Sequence, residues 1–363
     1  MGNKSFKKNK LIKNNISKLG LGTVQFGRAY GLKNNIIKKQ VEINKILDLL
    51  KKNNVSILDT SSNYLDSEKK IGNYKNNSFF KIITKTACTD SKTISKSEIK
   101  LIDEHFHNSL KNIRQKNIYA LLIHSFEDIL KPGGNNIINL LKKYKDKGYV
   151  KKIGVSIYNP TQFYKILDIF EPDIVQFPLN ILDQRFLNIN FSLFKKRIEF
   201  HARSIFLQGL LLNDIKKLPR FFFPIKKKLE EIHNFFNKME ISMLKACICF
   251  AIQQKKVNHF IIGVDKYVQI KNIITIFKKK EIKKRLGEIH NFFRKMEVSM
   301  LEACICFAIQ QKKINHFIIG VDKYVQIKNI ITIFKKKKIR KIDFSQFSMN
   351  QDKFIDPRNW KKL

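Results

Sequence analysis

Residues 55–72, VSILDTSSNYLDSEKKIG, join a short apolar run to a polar segment. The run at 55–59 is β-rich and is bounded by polar residues, as is typical of a buried strand. Seven similar runs alternate with longer amphipathic, lysine-rich stretches. They lie at 19–24, 79–85, 118–124, 152–156, 173–177, 198–206 and 259–263. Such alternation indicates parallel strands with helical crossovers, and eight strands predict a closed (β/α)8 TIM barrel, an α/β fold.

Helical candidates occupy the intervals between the predicted strands. Apolar residues recur with helical spacing in several stretches, at 40–52, 97–112, 135–147, 161–170 and 241–254. Turn signals stand at their ends, such as Pro132-Gly133-Gly134 and Asn159-Pro160.

A tandem duplication occupies the later part of the chain. Residues 229–280 recur as 286–337, shifted by 57 positions, with five differences in 52 aligned positions. Each copy predicts a helix, a strand and a helix, so a ninth strand is expected at 316–320. Either copy is able to close the barrel, and the first is favoured because it needs the shorter loop after the seventh strand.

Three segments follow from this organisation. We expect a barrel at residues 1–283, a duplicated helix-strand-helix unit at 284–340 that copies residues 227–283, and a tail at 341–363.

The chain is strongly basic, with 71 Lys and Arg against 30 Asp and Glu and a net charge of +41. Such a surplus attracts nucleic acid or anionic membranes without specificity. Most of the basic residues are Lys, however, and they are spread beside Asn and Ile along the whole chain. A drift in composition explains this distribution better than a binding surface. We expect no specific nucleic-acid partner, and charge-driven nucleic-acid binding stays an alternative.

No apolar run reaches the roughly 18 residues that span a bilayer, and no apolar segment follows the basic start of the sequence. A cytoplasmic protein without a membrane partner is therefore expected. The five cysteines are Cys88 and the pairs Cys247/Cys249 and Cys304/Cys306. Because residues two apart on a helix point in different directions, the pairs predict buried thiols in a reducing compartment.

We assign no metal-binding role to the other histidines. His105 and His107 lie two apart in a predicted helix, and His233 and His259 recur in the second copy of the duplication. No metal site is expected.

Four titratable residues stand at strand ends or just after them. Asp59 ends the second predicted strand, Tyr64 follows five residues later, Lys85 ends the third strand and His124 ends the fourth. The carboxyl ends of barrel strands form one face, where active sites are built from several strands. We therefore expect these four residues to converge.

Their chemistry suits reduction of a carbonyl by hydride transfer. The developing alkoxide needs a proton donor, and a tyrosine with an ordinary pKa of about 10 is a poor one unless a cation favours its phenolate. Lys85 is the candidate cation, Asp59 would hold it in place, and His124 would orient the carbonyl by a hydrogen bond. A nicotinamide would supply the hydride. Taken singly, each residue has an ordinary structural explanation, and only the joint pattern indicates catalysis.

A series of motifs follows in order along the chain: LGLGTVQFGRAYG, ILDTSSNYLDSEKKIG, ITKT, LLIHS, GYVKKIGVSIYNP, DIVQFPLN and FLQGLLL. It resembles the landmarks of the aldo/keto reductase family, and the ending FSQFSMNQDKFIDPRNW resembles a bacterial branch found near surface-polysaccharide genes. The resemblance implies an NADP(H)- or NAD(H)-dependent reductase with a (β/α)8 barrel and a small-molecule aldehyde, ketone or sugar-type substrate. It also implies that Asp59, Tyr64, Lys85 and His124 are catalytic.

The resemblance further implies a set of cofactor contacts at Gly22, Thr23, Ser156, Gln176, Arg203, Ser204, Phe206, Gly209, Gly263, Lys266 and Gln269. Arg203 stands where an aromatic ring usually stacks on the nicotinamide, and Ile157 stands where many members have Asn. In the second copy, Gly320, Lys323 and Gln326 match the last three contacts.

Lys266 lies in the segment that recognises the 2′-phosphate, so NADP is the expected cofactor. Asp265 and Ile273 depart from the usual residues there, and NAD is the alternative. A barrel that has lost catalysis and serves as a binding or regulatory subunit is the rival function, because Arg203 or the duplicated segment would obstruct the cofactor.

Overall fold

In a computed structural model, the described part of the chain comprises residues 16–278 apart from 33–35, 38, 195–196 and 239, together with Asp352, Asp356 and Asn359. The chain divides into two compact units, residues 1–278 with 350–363 and residues 279–349. The second unit lies outside the described residues. So do the ninth strand expected at 316–320, the Cys304/Cys306 pair and the second set of cofactor contacts.

Eight parallel strands form a closed barrel in sequence order. They are β1 (Leu19–Gly22), β2 (Ile57–Asp59), β3 (Lys81–Lys85), β4 (Ile118–Ile123), β5 (Val150–Ser156), β6 (Ile174–Pro178), β7 (Glu199–Arg203) and β8 (His259–Gly263). The barrel closes where β8 pairs with β1, which brings Gly22 opposite Gly263. The prediction of a (β/α)8 barrel is confirmed.

The strand that closes the barrel, β8, comes from the first copy of the duplication and pairs with β7 on its other side. The seventh strand is shorter than the predicted run at 198–206. It ends at Arg203 because Ser204 has a φ of 59°, in the left-handed region, which turns the chain out of the sheet.

Ten α-helices are found among the described residues. They are α1 (Val24–Gly27), α2 (Gln40–Lys52), α3 (Ser67–Gly72), α4 (Lys96–Ile113), α5 (Phe126–Leu130), α6 (Asn135–Asp146), α7 (Pro160–Ile169), α8 (Lys226–Lys238), α9 (Met243–Gln253) and α10 (Tyr267–Lys278). Short 3-10 helices lie at Ser62–Tyr64, Asn77–Phe79, Arg185–Asn188, Phe191–Leu193, Leu207–Leu212, Ile215–Lys217 and Arg220–Ile225.

The helices pack on the barrel through faces with helical spacing. In α2 the buried residues are Ile43, Ile46, Leu47 and Leu50, at intervals of three and four. Between β6 and β7, the described residues form only 3-10 helices. None of the described helices is both long enough and apolar enough to cross a bilayer.

An apolar layer crosses the inside of the barrel. It is formed by six buried residues, Ile57, Ile83, Ala120, Leu122, Ile174 and Ile261. Because side chains alternate along a strand, the residues two positions away face the interior as well. Toward the carboxyl ends these are Asp59, Lys85 and Gln176, and at the amino end of β8 the corresponding residue is His259. The layer therefore separates two polar ends of the barrel interior.

The cysteines are in part as expected. Cys247 and Cys249 are buried in α9 as free thiols, and burial raises the pKa of both. Cys88 is exposed. It lies in the segment after β3, where the chain has left the barrel wall.

Candidate active site

The carboxyl end of the barrel contains a buried ion pair. Lys85 Nζ lies 2.8 Å from Asp59 Oδ2 and donates a second hydrogen bond of 2.9 Å to the Thr60 carbonyl oxygen. Gln176 Nε2 donates to the other carboxylate oxygen of Asp59 at 2.8 Å. Both members of the pair thus have further polar partners, which offsets part of the cost of their burial.

Tyr64 is held beside this pair by the segment after β2. It ends the 3-10 helix Ser62–Tyr64, whose first turn is capped when the Asn63 amide donates to Ser61 Oγ. Gly27 of α1 packs against the Tyr64 backbone so closely that a Cβ there would lie 1.6 Å from the Tyr64 carbonyl oxygen. Lys85 Nζ lies 5.5 Å from the centroid of the Tyr64 ring. Tyr64 and Lys85 are therefore close to each other, as the positions of the two residues at strand ends predict.

The Tyr64 hydroxyl keeps its proton. Burial raises its pKa most, the Asp59 charge and Tyr158 raise it further, and Arg203 and Arg28 lower it to a smaller extent. Lys85 is not among the groups that shift this pKa, whereas the Asp59 charge acts against the phenolate.

His124 follows β4 and faces Tyr64. The two ring centroids are 6.2 Å apart with the rings nearly perpendicular, and His124 Nδ1 lies 3.2 Å from Ser61 Oγ. Burial, together with the charges of Lys85 and Arg203, lowers the pKa of His124 to about 3. The imidazole is therefore neutral near pH 7 and has one N–H to donate. All four predicted catalytic residues thus lie together.

A cavity of about 250 Å³ opens beside Tyr64 and Asp59. Lys85 and His124 contact these two residues and are not among the described residues that line the cavity. Eight of the eleven predicted cofactor contacts line it: Gly22, Thr23, Arg203, Ser204, Phe206, Gly209, Gly263 and Gln269.

Two further predicted contacts, Ser156 and Gln176, are buried at the ends of neighbouring strands. The Oε1 atom of Gln176 is buried without a hydrogen-bond partner. Lys266, the remaining predicted contact, is exposed and is not among the lining residues, whereas Asp265 is.

Arg203 ends β7 and lies against an aromatic ring. Its guanidinium carbon lies 4.0 Å from the centroid of the Tyr158 ring, and its Nη2 donates to the Ile157 carbonyl oxygen at 3.2 Å. Stacking of this kind fixes a planar guanidinium. The segment that follows has positive φ at Ser204, Leu207, Gln208 and Gly209, so its backbone curves along the cavity.

Some residues of the site were not predicted. Gln25, Tyr30 and Asn272 line the cavity, and Tyr158 supports Arg203. Asn272 could have been predicted from the sequence, because it lies three residues after Gln269 and on the same face of α10. Gln25 had none beyond its position two residues after Thr23.

Asp352 contacts this end of the barrel. Arg185, in the segment after β6, pairs with Asp352 and Asp183 and donates to the Tyr158 carbonyl oxygen at 3.2 Å. Asp352 is thereby linked to Arg203 through Arg185 and Tyr158.

Comparison with known proteins agrees with this geometry. Residues 18–290 match the aldo/keto reductase family. The fold is similar to that of aldo-keto reductase AKR11C1 from Bacillus halodurans in its holo form, with 16% identity, 74% of this chain and 91% of that chain covered, and a TM-score of 0.56.

It is also similar to that of the glycerol dehydrogenase AKR11B4 from Gluconobacter oxydans, with 19% identity, 75% and 90% coverage and a TM-score of 0.55. No curated protein sequence shows a significant match. At these identities the solved structures support the fold alone, and the family match carries the relationship.

Proposed function

The chain belongs to the aldo/keto reductase family of oxidoreductases, and we propose that it reduces an aldehyde, ketone or sugar-type carbonyl with NADP(H), using Tyr64 as proton donor. One observation carries the proposal. A single cavity is lined by Tyr64 and Asp59 and also by Ser204, Gly263 and Gln269, which belong to the predicted cofactor contacts. Cofactor and proton donor would therefore share one space.

Two buried amide oxygens support a nicotinamide cofactor. Oε1 of Gln25 and Oε1 of Gln176 have no hydrogen-bond partner among the described residues. A buried oxygen without a donor is unfavourable by about 1–3 kcal/mol. The carboxamide N–H2 of a nicotinamide would satisfy Gln176, which lies next to Asp59 and in register with Ser156. When bound, the nicotinamide supplies the hydride.

Tyr64 would deliver the proton that completes the reduction. Its raised pKa keeps the hydroxyl protonated until negative charge develops on the substrate oxygen beside it. Lys85, held by Asp59, lies over the same ring and would stabilise the phenolate that remains. The ion pair is buried, so its field is screened less than that of a surface pair.

His124 would orient the carbonyl. Because its pKa is near 3, the ring is neutral and donates a hydrogen bond without giving up a proton. Two hydrogen-bond donors, Tyr64 and His124, would then meet the same oxygen, and this stabilises an alkoxide more than it stabilises a carbonyl.

The preference for NADP rests on Lys266, and Asp265 opposes it. Lys266 is exposed at the start of α10 and is free to reach a 2′-phosphate, whereas Asp265 in the cavity lining would repel one. Titration with NADPH and with NADH, followed by cofactor fluorescence, decides between them, and tighter binding of NADH would reverse the preference.

Replacement of Tyr64 tests the proposed chemistry. Tyr64→Phe keeps the ring and removes the hydroxyl, so turnover with a panel of aldehydes and ketones should fall by about 10²–10⁴-fold while NADPH affinity is retained. The matched control is Tyr164→Phe, because Tyr164 is exposed on α7 and is outside the cavity lining. Full activity of Tyr64→Phe would exclude Tyr64 as the proton donor. Failure of the unaltered chain to bind NADPH would favour a non-catalytic barrel.

A further inference from the structure

A second polar cluster lies at the opposite end of the barrel interior from Asp59 and Lys85. It consists of Glu199 and His201 in β7 and His259 in β8. His201 and His259 are directly opposite each other in the strand register. Glu199 is two residues before His201, so all three side chains face the same side of the sheet. The apolar layer that includes Ile174 and Ile261 lies between this cluster and the active site.

The three side chains have the separation of metal ligands. One nitrogen or oxygen atom from each lies within 4.8 Å of those of the other two. His201 Nε2 lies 3.3 Å from Glu199 Oε2, and the two imidazole centroids are 4.9 Å apart. With zinc–nitrogen and zinc–oxygen bonds of about 2.0–2.1 Å, ligands in a tetrahedral site stand about 3.3 Å apart. One pair already has this separation, and the third ligand needs only a small approach.

Both imidazoles have an unsatisfied nitrogen. Nδ1 of His201 and Nδ1 of His259 are buried and have no hydrogen-bond partner among the described residues. His201 is fully buried. A buried polar atom without a partner is rare in proteins and often marks the place of an ion or an ordered water. Because Nε2 of His201 is the atom that faces Glu199, its Nδ1 points elsewhere, and the unpartnered Nδ1 of His259 is the observation that supports an ion independently of the distances.

The carboxylate is fixed by its neighbours. Lys152 Nζ lies 2.7 Å from Glu199 Oε1, and the Tyr119 hydroxyl donates to the carboxylate at 3.0 Å. Oε2 faces His201, so one oxygen is held by Lys152 while the other is directed at the imidazole. The nearby lysine charge weakens the binding of any cation, so the metal must gain most of its affinity from nitrogen ligands.

We propose that Glu199, His201 and His259 form a binding site for a divalent transition-metal ion such as Zn²⁺, with solvent as a further ligand. Two imidazoles and one carboxylate suit Zn²⁺, Co²⁺ and Ni²⁺, whereas Mg²⁺ and Ca²⁺ require mainly oxygen ligands. The site lies beyond the apolar layer from Tyr64, so the ion would stabilise the barrel and take no part in reduction. It replaces the expectation that His259 has no role.

Metal titration of the full chain tests this site. After treatment with a chelator, the protein should bind one Co²⁺, with d–d absorption bands and no thiolate-to-cobalt charge-transfer band. Zn²⁺ should displace the Co²⁺ and raise the melting temperature of the protein. Mg²⁺ should do neither.

Ligand variants locate the ion. Glu199→Gln and His259→Gln should each lower Co²⁺ affinity by at least about 100-fold, because loss of a direct ligand should exceed the 10–100-fold effect of losing an outer partner. His316→Gln is the matched control, since His316 occurs in the same seven-residue sequence, NHFIIGV, in the second copy. A second control is His105→Gln with His107→Gln on α4.

Three outcomes would overturn the proposal. They are failure of the unaltered chain to bind Co²⁺ or Zn²⁺, a thiolate band that assigns the ion to cysteines, and equal loss of affinity in the His316 or His105/His107 controls. Because His201 is fully buried, His201→Gln risks misfolding, and His259→Gln at the half-exposed edge of the cluster carries the test instead.

Discussion

The pairing of Lys85 with Asp59 governs how the active site responds to substitution. Their side chains are 2% and 7% exposed, so neither charge is solvated by water. Lys85→Met leaves the Asp59 carboxylate buried without its cation. We expect the free energy of unfolding to fall by about 3–5 kcal/mol, measured by urea unfolding.

An exposed pair provides the control for this substitution. Lys226 and Glu230 lie 3.9 Å apart on α8 and are each 45% exposed, so Lys226→Met should change the free energy of unfolding by at most about 0.5 kcal/mol. The double variant Asp59→Asn/Lys85→Met should recover part of the loss, because no unpaired charge remains. If the free energy of unfolding of Lys85→Met is within about 1 kcal/mol of that of the unaltered chain, the buried pair does not stabilise the barrel.

His124 gives the stability of the protein a defined pH dependence. Its pKa is about 3 in the folded chain and near 6.5 when unfolded, so between these values the unfolded chain binds a proton that the folded chain does not. The free energy of unfolding therefore decreases as the pH falls from 6.5 toward 3, by up to about 1.4 kcal/mol per pH unit from this group.

The variant His124→Asn isolates this contribution. The difference in unfolding free energy between the unaltered chain and His124→Asn should be constant above pH 6.5 and should shrink below it. Urea unfolding across this range measures the difference. A difference that does not vary with pH would mean that the imidazole binds protons alike in the folded and the unfolded chain, and that its pKa is not lowered by folding.

At the scale of residues, the sequence predicted where the proposed catalytic groups lie, but it did not predict their pKa values. Asp59, Lys85 and His124 were found because strand ends converge on one face of a barrel. The pKa of Tyr64 depends on burial and on the offsetting charge of Asp59, and neither can be read from spacing along the chain.

Among the elements, the start of α7 connects local structure to the cofactor site. Asn159 Oδ1 accepts a hydrogen bond from the Gln162 amide, and Gln162 Oε1 accepts from the Asn159 and Tyr158 amides. This capping box holds Tyr158, on which Arg203 stacks. Asn159→Ala should lower the free energy of unfolding by about 1 kcal/mol and should weaken NADPH binding as well.

A second cap separates these two effects. Ser95 caps α4 by accepting from the Glu98 amide, and it does not line the cavity. Ser95→Ala should cost a similar free energy of unfolding and leave NADPH affinity unchanged. Fluorescence titration and urea unfolding of both variants give the comparison, and unchanged NADPH affinity in Asn159→Ala would show that α7 does not position Arg203.

Elements themselves were predicted well where apolar periodicity was strong, as in α2, whose bounds agree with the prediction at 40–52. The end of β7 was missed because Ile205 is apolar and buried although it lies outside the strand. A residue that is buried by loop packing and a residue that is buried in a strand are both apolar, so the sequence does not distinguish them. Only the left-handed backbone at Ser204 distinguishes them.

For the whole molecule, the barrel is complete without the second copy of the duplication. All eight strands lie between Leu19 and Gly263, and every described residue that lines the cavity precedes residue 274. Excision of residues 284–340, which leaves the tail with Asp352 in the chain, should therefore give a folded protein that binds NADPH with unchanged affinity. Circular dichroism and fluorescence titration measure this, and a folded product without cofactor binding would show that the second copy contributes to the site.

The duplication was visible in the sequence, and so was the fact that either copy could close the barrel, but the cluster at the amino end of the barrel was not. Glu199 and His201 are close in sequence, yet His259 reaches them only through the pairing of β7 with β8. Contacts that depend on strand register cannot be inferred from spacing along one segment.

The apolar layer inside the barrel also affects how this chain can diverge or be engineered. Ile83 on β3 precedes Lys85 by two residues, and Ile261 on β8 follows His259 by two. The layer therefore separates Lys85 at the carboxyl end of the barrel from His259 at its amino end. Substitutions at the amino end of the barrel interior are therefore expected to change stability with little effect on the residues at the carboxyl end. The barrel thus consists of two compartments that evolution and design can modify separately.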